Sequence, residues 1–390
     1  MPAIDVPVVL SGYGPVGQAY ATELTTRGEE LAERYGIRPY VAAIRRSRTE
    51  FRVDDGLGTG SEPGAGTETG SAPGFGSAPG SGPASGSGPA LGPGAAPGGG
   101  AGSAAPLLPP LAPGAAGAAP GAWRDAGDFG ALLDETRPAV FVQAVPSSAD
   151  VTAVAAREAV AALRRGVHLV TATKSHLLAN WRELHDAAAA GGAGIRFSGA
   201  TGSALPAGDV ARYSMLGFAC ASIRGCPNGT STYILDRLAD GGDLDAAVAD
   251  AQARGIAEAD PTADLSGTDS ATKVRLLAGL VWGWDVTAIR VRTAPIDATT
   301  AAAAQAAAAS GHRLRAVATA RADTPGEVHV EHVATRPGDP LHAITGPEKA
   351  VVFDCGPAGE ITISGGRGSP RGAALSMLKD TLATALEITR

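Results

Sequence analysis

The stretch Val6-Pro-Val-Val-Leu10-Ser11-Gly12-Tyr13-Gly14-Pro15-Val16-Gly17 decides the fold. Val6 to Leu10 is a short apolar run, which reads as a buried strand. Gly12, Gly14 and Gly17 then fall in G-x-G-x-x-G spacing, and a helical stretch follows from about Gln18 to Tyr35. Tyr40 to Ile44 supplies a second strand and closes a βαβ unit. In that setting the glycines permit a tight turn, the close approach of a pyrophosphate and the packing of helix on strand. Phosphate then sits at the helix N-terminus, where free N–H groups and the dipole favour an anion, and Pro15 and Val16 in the turn are expected to contact the cofactor. A glycine triplet is weak by itself in a chain with 54 glycines. Its place between strand and helix makes it specific, and the spacing predicts a Rossmann dinucleotide-binding domain.

Cofactor choice is read at the end of the second strand. An NAD site usually has an acid there, about 20 residues past the glycines, to bind the ribose hydroxyls. Here the residues are Ile44-Arg45-Arg46-Ser47-Arg48, with no acid before Glu50. Arginines suit the 2′-phosphate of NADP through planar, charge-assisted bonds. NADP is therefore expected, with NAD possible. Arg46 best matches the ribose-facing position, Arg45 lies on the opposite face, and Arg48 stands further out. A solvated basic turn is the competing reading.

The segment from Asp54 to about Gly121 is almost entirely Gly, Ala, Pro and Ser, and Phe75 is its single aromatic residue. Such a composition cannot bury enough apolar surface to offset the entropy of ordering. It reads as a long disordered insertion within the first domain. The rest of the 390 residues suffices for two domains with their own cores. Net charge is −7 and aromatic content 4%, which argues against a nucleic-acid partner. Cys220, Cys226 and Cys355 lack C-x-x-C spacing and suit a reducing compartment. There is no secretory n-region and no apolar run of membrane-spanning length, so a cytoplasmic protein without a membrane partner is expected.

Beyond the insertion the α/β rhythm resumes. Ala139 to Val145 reads as a strand, Ala149 to Arg165 as a helix, and Val167 to Ala172 as a strand ending at Thr173-Lys174. Open parallel sheets bind ligands at the carboxyl ends of their strands, which places Val145 and Lys174 at the cofactor crevice. Asn228-Gly229-Thr230 reads as a turn exposing backbone amides and a hydroxyl at a helix start, suited to a carboxylate or phosphate. Further on, Gly255-Ile-Ala-Glu258-Ala-Asp-Pro-Thr-Ala-Asp264 precedes a helix carrying Asp269 and Lys273. Residues at i and i+4 share a helix face. A lysine held there beside a carboxylate can hand a proton to a developing alkoxide, and nearby acids can hold an amino group. The plain alternative is a helix salt bridge beside an acidic loop. His329-Val-Glu-His332 reads as a strand in which residues three apart face opposite sides, so no metal site is expected.

These motifs together resemble the homoserine dehydrogenase family. The resemblance rests on Thr171-Ala-Thr-Lys174-Ser-His-Leu-Leu, Gly225-Cys-Pro-Asn-Gly-Thr-Ser-Thr-Tyr-Ile-Leu235, Ala257-Glu-Ala-Asp-Pro-Thr-Ala-Asp264 and Gly267-Thr-Asp269-Ser-Ala-Thr-Lys273. It covers the chain apart from the insertion. It implies a cofactor domain over 1–180 interrupted by the insertion at 54–121, a mixed α/β substrate and dimerisation domain over 181–364, and a segment at 365–390 returning to the cofactor domain. It further implies a homodimer and the reversible reduction of aspartate 4-semialdehyde to homoserine with NAD(P)H. Carried over residue by residue, Lys273 and Lys174 match the lysines near the reacting oxygen and Asp269 the acid beside the first. Glu258 matches the group binding the substrate ammonium, with Asp264, Thr230 and Gly229 as further substrate contacts. Gly366, in Gly365-Gly-Arg-Gly-Ser-Pro370, matches a cofactor contact.

Some positions depart from the pattern. Ser198 stands where the family usually has a glutamate, which in some members belongs to a monovalent-cation site, so no such cation is expected. Ile256 replaces a tyrosine, and Gln143 a carboxylate. A relative acting on another amino-acid-derived aldehyde or ketone is one alternative, and a non-catalytic NADP-binding sensor a second. No ACT-type regulatory domain is expected after Arg390.

Overall fold

The computed structural model describes residues 3–53 and 123–389; the insertion expected over 54–121 lies outside the described residues. The architecture is mixed α/β and is built on two sheets.

The first sheet contains β1 (Ile4–Ser11), β2 (Ile37–Arg45), β3 (Thr49–Arg52), β4 (Arg124–Asp125), β5 (Val140–Gln143), β6 (His168–Thr171) and β7 (Ile195–Arg196). Their order across the sheet is β4-β3-β2-β1-β5-β6-β7. The five strands from β2 to β7 run parallel, and β3 and β4 add an antiparallel edge. Val8, Val9, Leu10, Val140, Phe141 and Val142 are fully buried, as expected of strands covered on both faces. The chain leaves β1 toward β2 on one side and later returns to β5 on the other. Their carboxyl ends therefore form a topological switch point, where open α/β sheets bind ligands. Strand β7 takes this sheet past residue 180, where the family resemblance put the end of the first domain.

The second sheet contains β8 (Ser222–Cys226), β9 (Arg290–Thr293), β10 (Arg313–Arg321), β11 (Glu327–Thr335), β12 (Lys349–Asp354) and β13 (Glu360–Gly365), in the order β13-β12-β8-β10-β11-β9. It is antiparallel except for β9 beside β11. The last helix, Pro370–Ile388, packs against the helix Pro15–Tyr35 that follows the glycine motif. Tyr20 Oη and Thr381 Oγ1 meet at 2.8 Å between them, and Arg371 Nε donates to Glu23 Oε1 at 2.8 Å. Among the described residues no helix is long and apolar enough to cross a membrane. The three cysteines are free and buried.

Candidate active site

Two threonines position the first lysine. The Thr173 amide donates to Thr171 Oγ1 at 3.0 Å, and the Thr173 hydroxyl donates to the Val145 carbonyl at 2.8 Å. These bonds tie together the carboxyl ends of β5 and β6. Lys174 follows directly, its amide on Ser147 Oγ at 2.8 Å.

The second lysine arrives from the other sheet. Gly267, at φ +78°, starts the helix Thr268–Trp282, and a Cβ there would lie 3.1 Å from Val330 Cγ1 on β11. Glycine thus lets the helix settle on the sheet. Asp269 stands in its first turn, where the dipole favours a carboxylate, and Lys273 lies one turn on. Lys174 Nζ donates to Asp269 Oδ1 at 2.8 Å, and Lys273 Nζ donates to Asp269 Oδ2. One carboxylate therefore holds two ammonium groups. Lys273 also donates to the Pro227 carbonyl at 3.0 Å.

Asn228, read in the sequence only as part of the turn before Gly229 and Thr230, completes the cluster. It caps the helix Gly229–Ala239 by accepting from the Ser231 amide at 2.9 Å. Its Nδ2 donates to Asp269 Oδ2 at 2.8 Å and also to Asp264 Oδ1. The cap signal was present in the sequence; the second use of the amide depends on folding. Gly229 begins the helix where a Cβ would lie 2.2 Å from the Pro347 carbonyl oxygen, and the Thr230 hydroxyl donates to the Ile256 carbonyl at 3.0 Å.

Burial opposes the charge on Asp269, but Lys273 and Lys174 outweigh it and hold the carboxyl well below the usual carboxylate range. For Lys174 burial pulls downward, and Asp269, with Asp264 and Glu258 behind it, raises the ammonium pKa overall. Burial pushes Asp264 up against the effect of its Asn228 hydrogen bond. All these groups line one cavity of about 770 Å³, which extends from Glu258 in the acidic loop to Val16 in the glycine motif.

The glycine motif fits a dinucleotide. Gly12 has φ +93°, and a Cβ there would lie 2.5 Å from the Ala144 carbonyl oxygen; at Gly17 it would lie 2.0 Å from the Gly12 oxygen. At Gly14 a Cβ would meet no atom within 4 Å, so this glycine keeps space open above the helix rather than serving packing. The helix beginning at Pro15 has no side-chain cap and no acid in its first turn, which leaves its N–H groups for an anion.

The neighbouring arginines have different surroundings. Arg45 donates to Glu158 at 2.9 Å, Glu50 at 3.2 Å and the Gly127 carbonyl at 3.0 Å. It is committed to an internal ion-pair network, on the face away from the ribose-facing position read for Arg46. Arg46 lies with its guanidinium carbon 4.4 Å from the Trp123 ring centroid and 5.5 Å from that of Tyr13, and it forms no ion pair among the described residues. Gly366, at φ +65°, packs against Leu205, whereas Arg367 and Gly368 line the cavity. The Ser198 amide and hydroxyl both donate to Asp380 at 2.9 Å, and the hydroxyl accepts from Lys379 at 2.9 Å. Among the described residues no group of three His, Cys, Asp or Glu is arranged to hold a metal.

The family model described as homoserine dehydrogenase matches residues 206–382. A homoserine dehydrogenase of Methanocaldococcus jannaschii is 29% identical over 64% of this chain and 74% of its own length. One of Sulfurisphaera tokodaii is 30% identical over 57% of this chain and 68% of its own. Of the Corynebacterium glutamicum and mycobacterial relatives, the chain spans about half the length. An NAD(+)-dependent homoserine dehydrogenase of Pseudomonas canavaninivorans is 30% identical over 57% of this chain and 63% of its own. In fold, the chain is similar to a homoserine dehydrogenase from Thiobacillus denitrificans, with a TM-score of 0.73 at 21% identity over 100% of this chain and 75% of that one. It also resembles a hyperthermophilic archaeal homoserine dehydrogenase in complex with NADPH, with a TM-score of 0.65 at 20% identity over 98% of each chain. With its glycine-motif groove and lysine pair in one cavity, and with these matches, the chain belongs to the homoserine dehydrogenase family, NAD(P)-dependent oxidoreductases acting on a CH–OH group.

Proposed function

We propose that the protein interconverts L-aspartate 4-semialdehyde and L-homoserine with NADP(H), using a lysine of the Asp269 pair as proton donor and acceptor. The observation carrying this reading is that one carboxylate, Asp269, holds both Lys174 and Lys273 at the cavity wall. Bound over the glycine motif, the dinucleotide supplies or accepts the hydride. A carbonyl oxygen beside the two ammonium groups is polarised by both and takes a proton from one as it becomes a hydroxyl. In the reverse direction the same amine takes the proton back. Asp269 fixes the positions of both lysines. Glu258 and Asp264 offer carboxylates to the substrate ammonium, while the helix start at Gly229 and Thr230 suits the substrate carboxylate.

Arg46 supports NADP over NAD. Two aromatic faces hold its guanidinium while leaving its N–H edge for a phosphate. The relatives are mixed on this point: one was solved with NADPH and another is NAD(+)-dependent. A second reading rests on Ile256, which lines the cavity close to Glu258 where the family has a tyrosine. It makes the substrate another amino-acid-derived aldehyde or ketone. A homodimer located in the cytoplasm belongs to the same proposal. The test is NADPH oxidation by the purified protein with aspartate semialdehyde and with a panel of amino-acid aldehydes and ketones. Preference for a panel member selects the second reading, and inactivity toward all of them sinks both.

A further inference from the structure

Lys349 opens β12, and the four residues after it are fully buried. It is itself only 2% exposed, yet it lines the cavity that holds Lys174 and Lys273. Its ammonium donates to the Gly202 carbonyl at 3.0 Å and forms no ion pair among the described residues. An ammonium has three donors, and a buried charge without a counter-charge is costly.

Its surroundings do not offset that cost. Lys273 and Lys174 repel it, and Asp269, which attracts it, is already shared between those two. The preceding residue, Glu348, directs its carboxylate to the Thr345 amide and hydroxyl, at 2.9 and 3.2 Å. On neighbouring β8 the nearest titratable group is the buried Cys226 thiol, in register with Ala350. The turn after β13 brings Arg367, another cation, to the same cavity; a Cβ on Gly368 beside it would lie 3.8 Å from Lys349 Nζ. Burial, with the charge of Lys273, lowers the Lys349 pKa to about 7.

We propose that Lys349 is the anion receptor of this cavity, donating to a carboxylate or phosphate oxygen of the bound ligand and selecting for ligands that carry one there. The proposal rests on the reading of the cavity as the substrate and cofactor site. An oxyanion at Lys349 favours its ammonium form, so ligand binding takes up a proton at a pH where the free amine predominates. Two sources of the oxyanion fit this chemistry, the substrate carboxylate and the cofactor pyrophosphate.

The experiment is calorimetric titration near pH 8, where a group titrating at about 7 is mostly neutral, in two buffers of different ionisation enthalpy. The titrants are NADP⁺, L-homoserine added to the NADP⁺ complex, and 2-aminobutane-1,4-diol, which lacks the carboxylate. The unaltered protein should take up close to one proton with NADP⁺ or with homoserine. Uptake with homoserine and none with the diol identifies the carboxylate, whereas uptake with NADP⁺ identifies the phosphate. Lys349→Met should lose the uptake and bind that ligand about tenfold or more weakly. If the Met variant melts early, Lys349→Arg, which is permanently charged, should abolish the uptake while keeping the contact. No uptake by the unaltered protein, or undiminished uptake in the variants, overturns the proposal. Turnover of aspartate semialdehyde is read separately. Lys349-dependent uptake in an inactive protein would end the proposed activity alone, and an active protein without it would end the receptor alone.

Discussion

The two ends of the proposed site hold their cations in opposite ways. At the substrate end Lys174 and Lys273 are pinned by hydrogen bonds to one buried carboxylate, Asp269, which Asn228 supports in turn. At the end proposed for the cofactor's adenosine, Arg46 is held by the faces of Tyr13 and Trp123, with no ion pair among the described residues. Ionic pinning fixes where a proton donor stands and keeps it charged. Aromatic stacking fixes the plane of a guanidinium and leaves its N–H edge unspent for a ligand. On the proposed function, one end serves geometry at the reacting atom and the other affinity for the cofactor.

The largest expected effect breaks the substrate end. Lys273→Ala should lower turnover by roughly 100-fold or more, as expected for loss of a positioned proton donor, with cofactor affinity nearly unchanged. Steady-state kinetics beside a cofactor titration checks this, and near-normal turnover would remove Lys273 from the mechanism. Asp269→Ala strikes the same cluster through its centre. Two part-buried ammonium groups would lose their shared counter-charge, so lost stability should accompany lost activity.

Breaking the adenosine end should act on binding alone. A charge-assisted bond to the 2′-phosphate is worth roughly 1.5 to 3 kcal/mol, or roughly ten- to hundredfold in affinity. Arg46→Asp should weaken NADPH binding by that factor and leave NADH binding similar or better, since the new carboxylate can accept from the ribose hydroxyls. Arg45→Ala sharpens the contrast: it should lower the melting temperature by releasing Glu158 and Glu50, with no preference between the cofactors. Equal affinity of the unaltered protein for NADPH and NADH would sink the assignment of Arg46.

This pair of arginines also shows what could be read from the sequence. The glycine motif and the Asp269–Lys273 pair were legible because their geometry is set by residues a few positions apart. Strand, turn and helix follow one another at Gly12, and i,i+4 spacing fixes a helix face. The βαβ start of the first sheet followed from the same local patterns, whereas the second, mixed α/β part came from the family resemblance. What could not be read is contact over distance. Lys174 meets Asp269 across 95 residues, and Arg45 meets Glu158 across 113. Neighbouring arginines of identical chemistry are told apart only by what the fold brings to each. Lys349 escaped for a related reason: a lysine heading a strand reads as an exposed end until the fold buries it against the 198–205 segment.

A smaller effect tests the packing behind the substrate end through pH. His176, two residues beyond Lys174, is fully buried, and neither ring nitrogen has a hydrogen-bond partner among the described residues. Burial lowers its pKa to about 4. Well above pH 6.5 the imidazole is neutral in both folded and unfolded chains, so stability does not depend on it. As pH falls toward 4 the unfolded chain takes up a proton that the folded one refuses, and stability drops by roughly 3 kcal/mol from this group. His176→Leu should remove that share of the acid sensitivity. Denaturant unfolding of both proteins near pH 7 and near pH 4.5 measures it, and parallel losses would show that the histidine is not responsible.

The smallest effect is expected where the chain is least able to form a core. Residues 55–121 carry almost nothing but Gly, Ala, Pro and Ser. The strands flanking them are antiparallel neighbours, with Thr49 opposite Asp125 and Glu50 opposite Arg124, so the ends to be rejoined already lie side by side. A Gly/Ser linker of about eight residues can close that hairpin, provided Trp123 is kept to face Arg46. Loop-closure entropy changes by only about 0.6 kcal/mol per doubling of length. Cutting the connection by roughly three halvings should therefore stabilise the protein by about 2 kcal/mol if the segment adds no contacts of its own. A slightly raised melting temperature with unchanged NADPH affinity is the expected result. A large fall in melting temperature would mean that the segment packs on the rest of the protein. Weakened NADPH binding at unchanged stability would instead extend the adenosine end into the insertion.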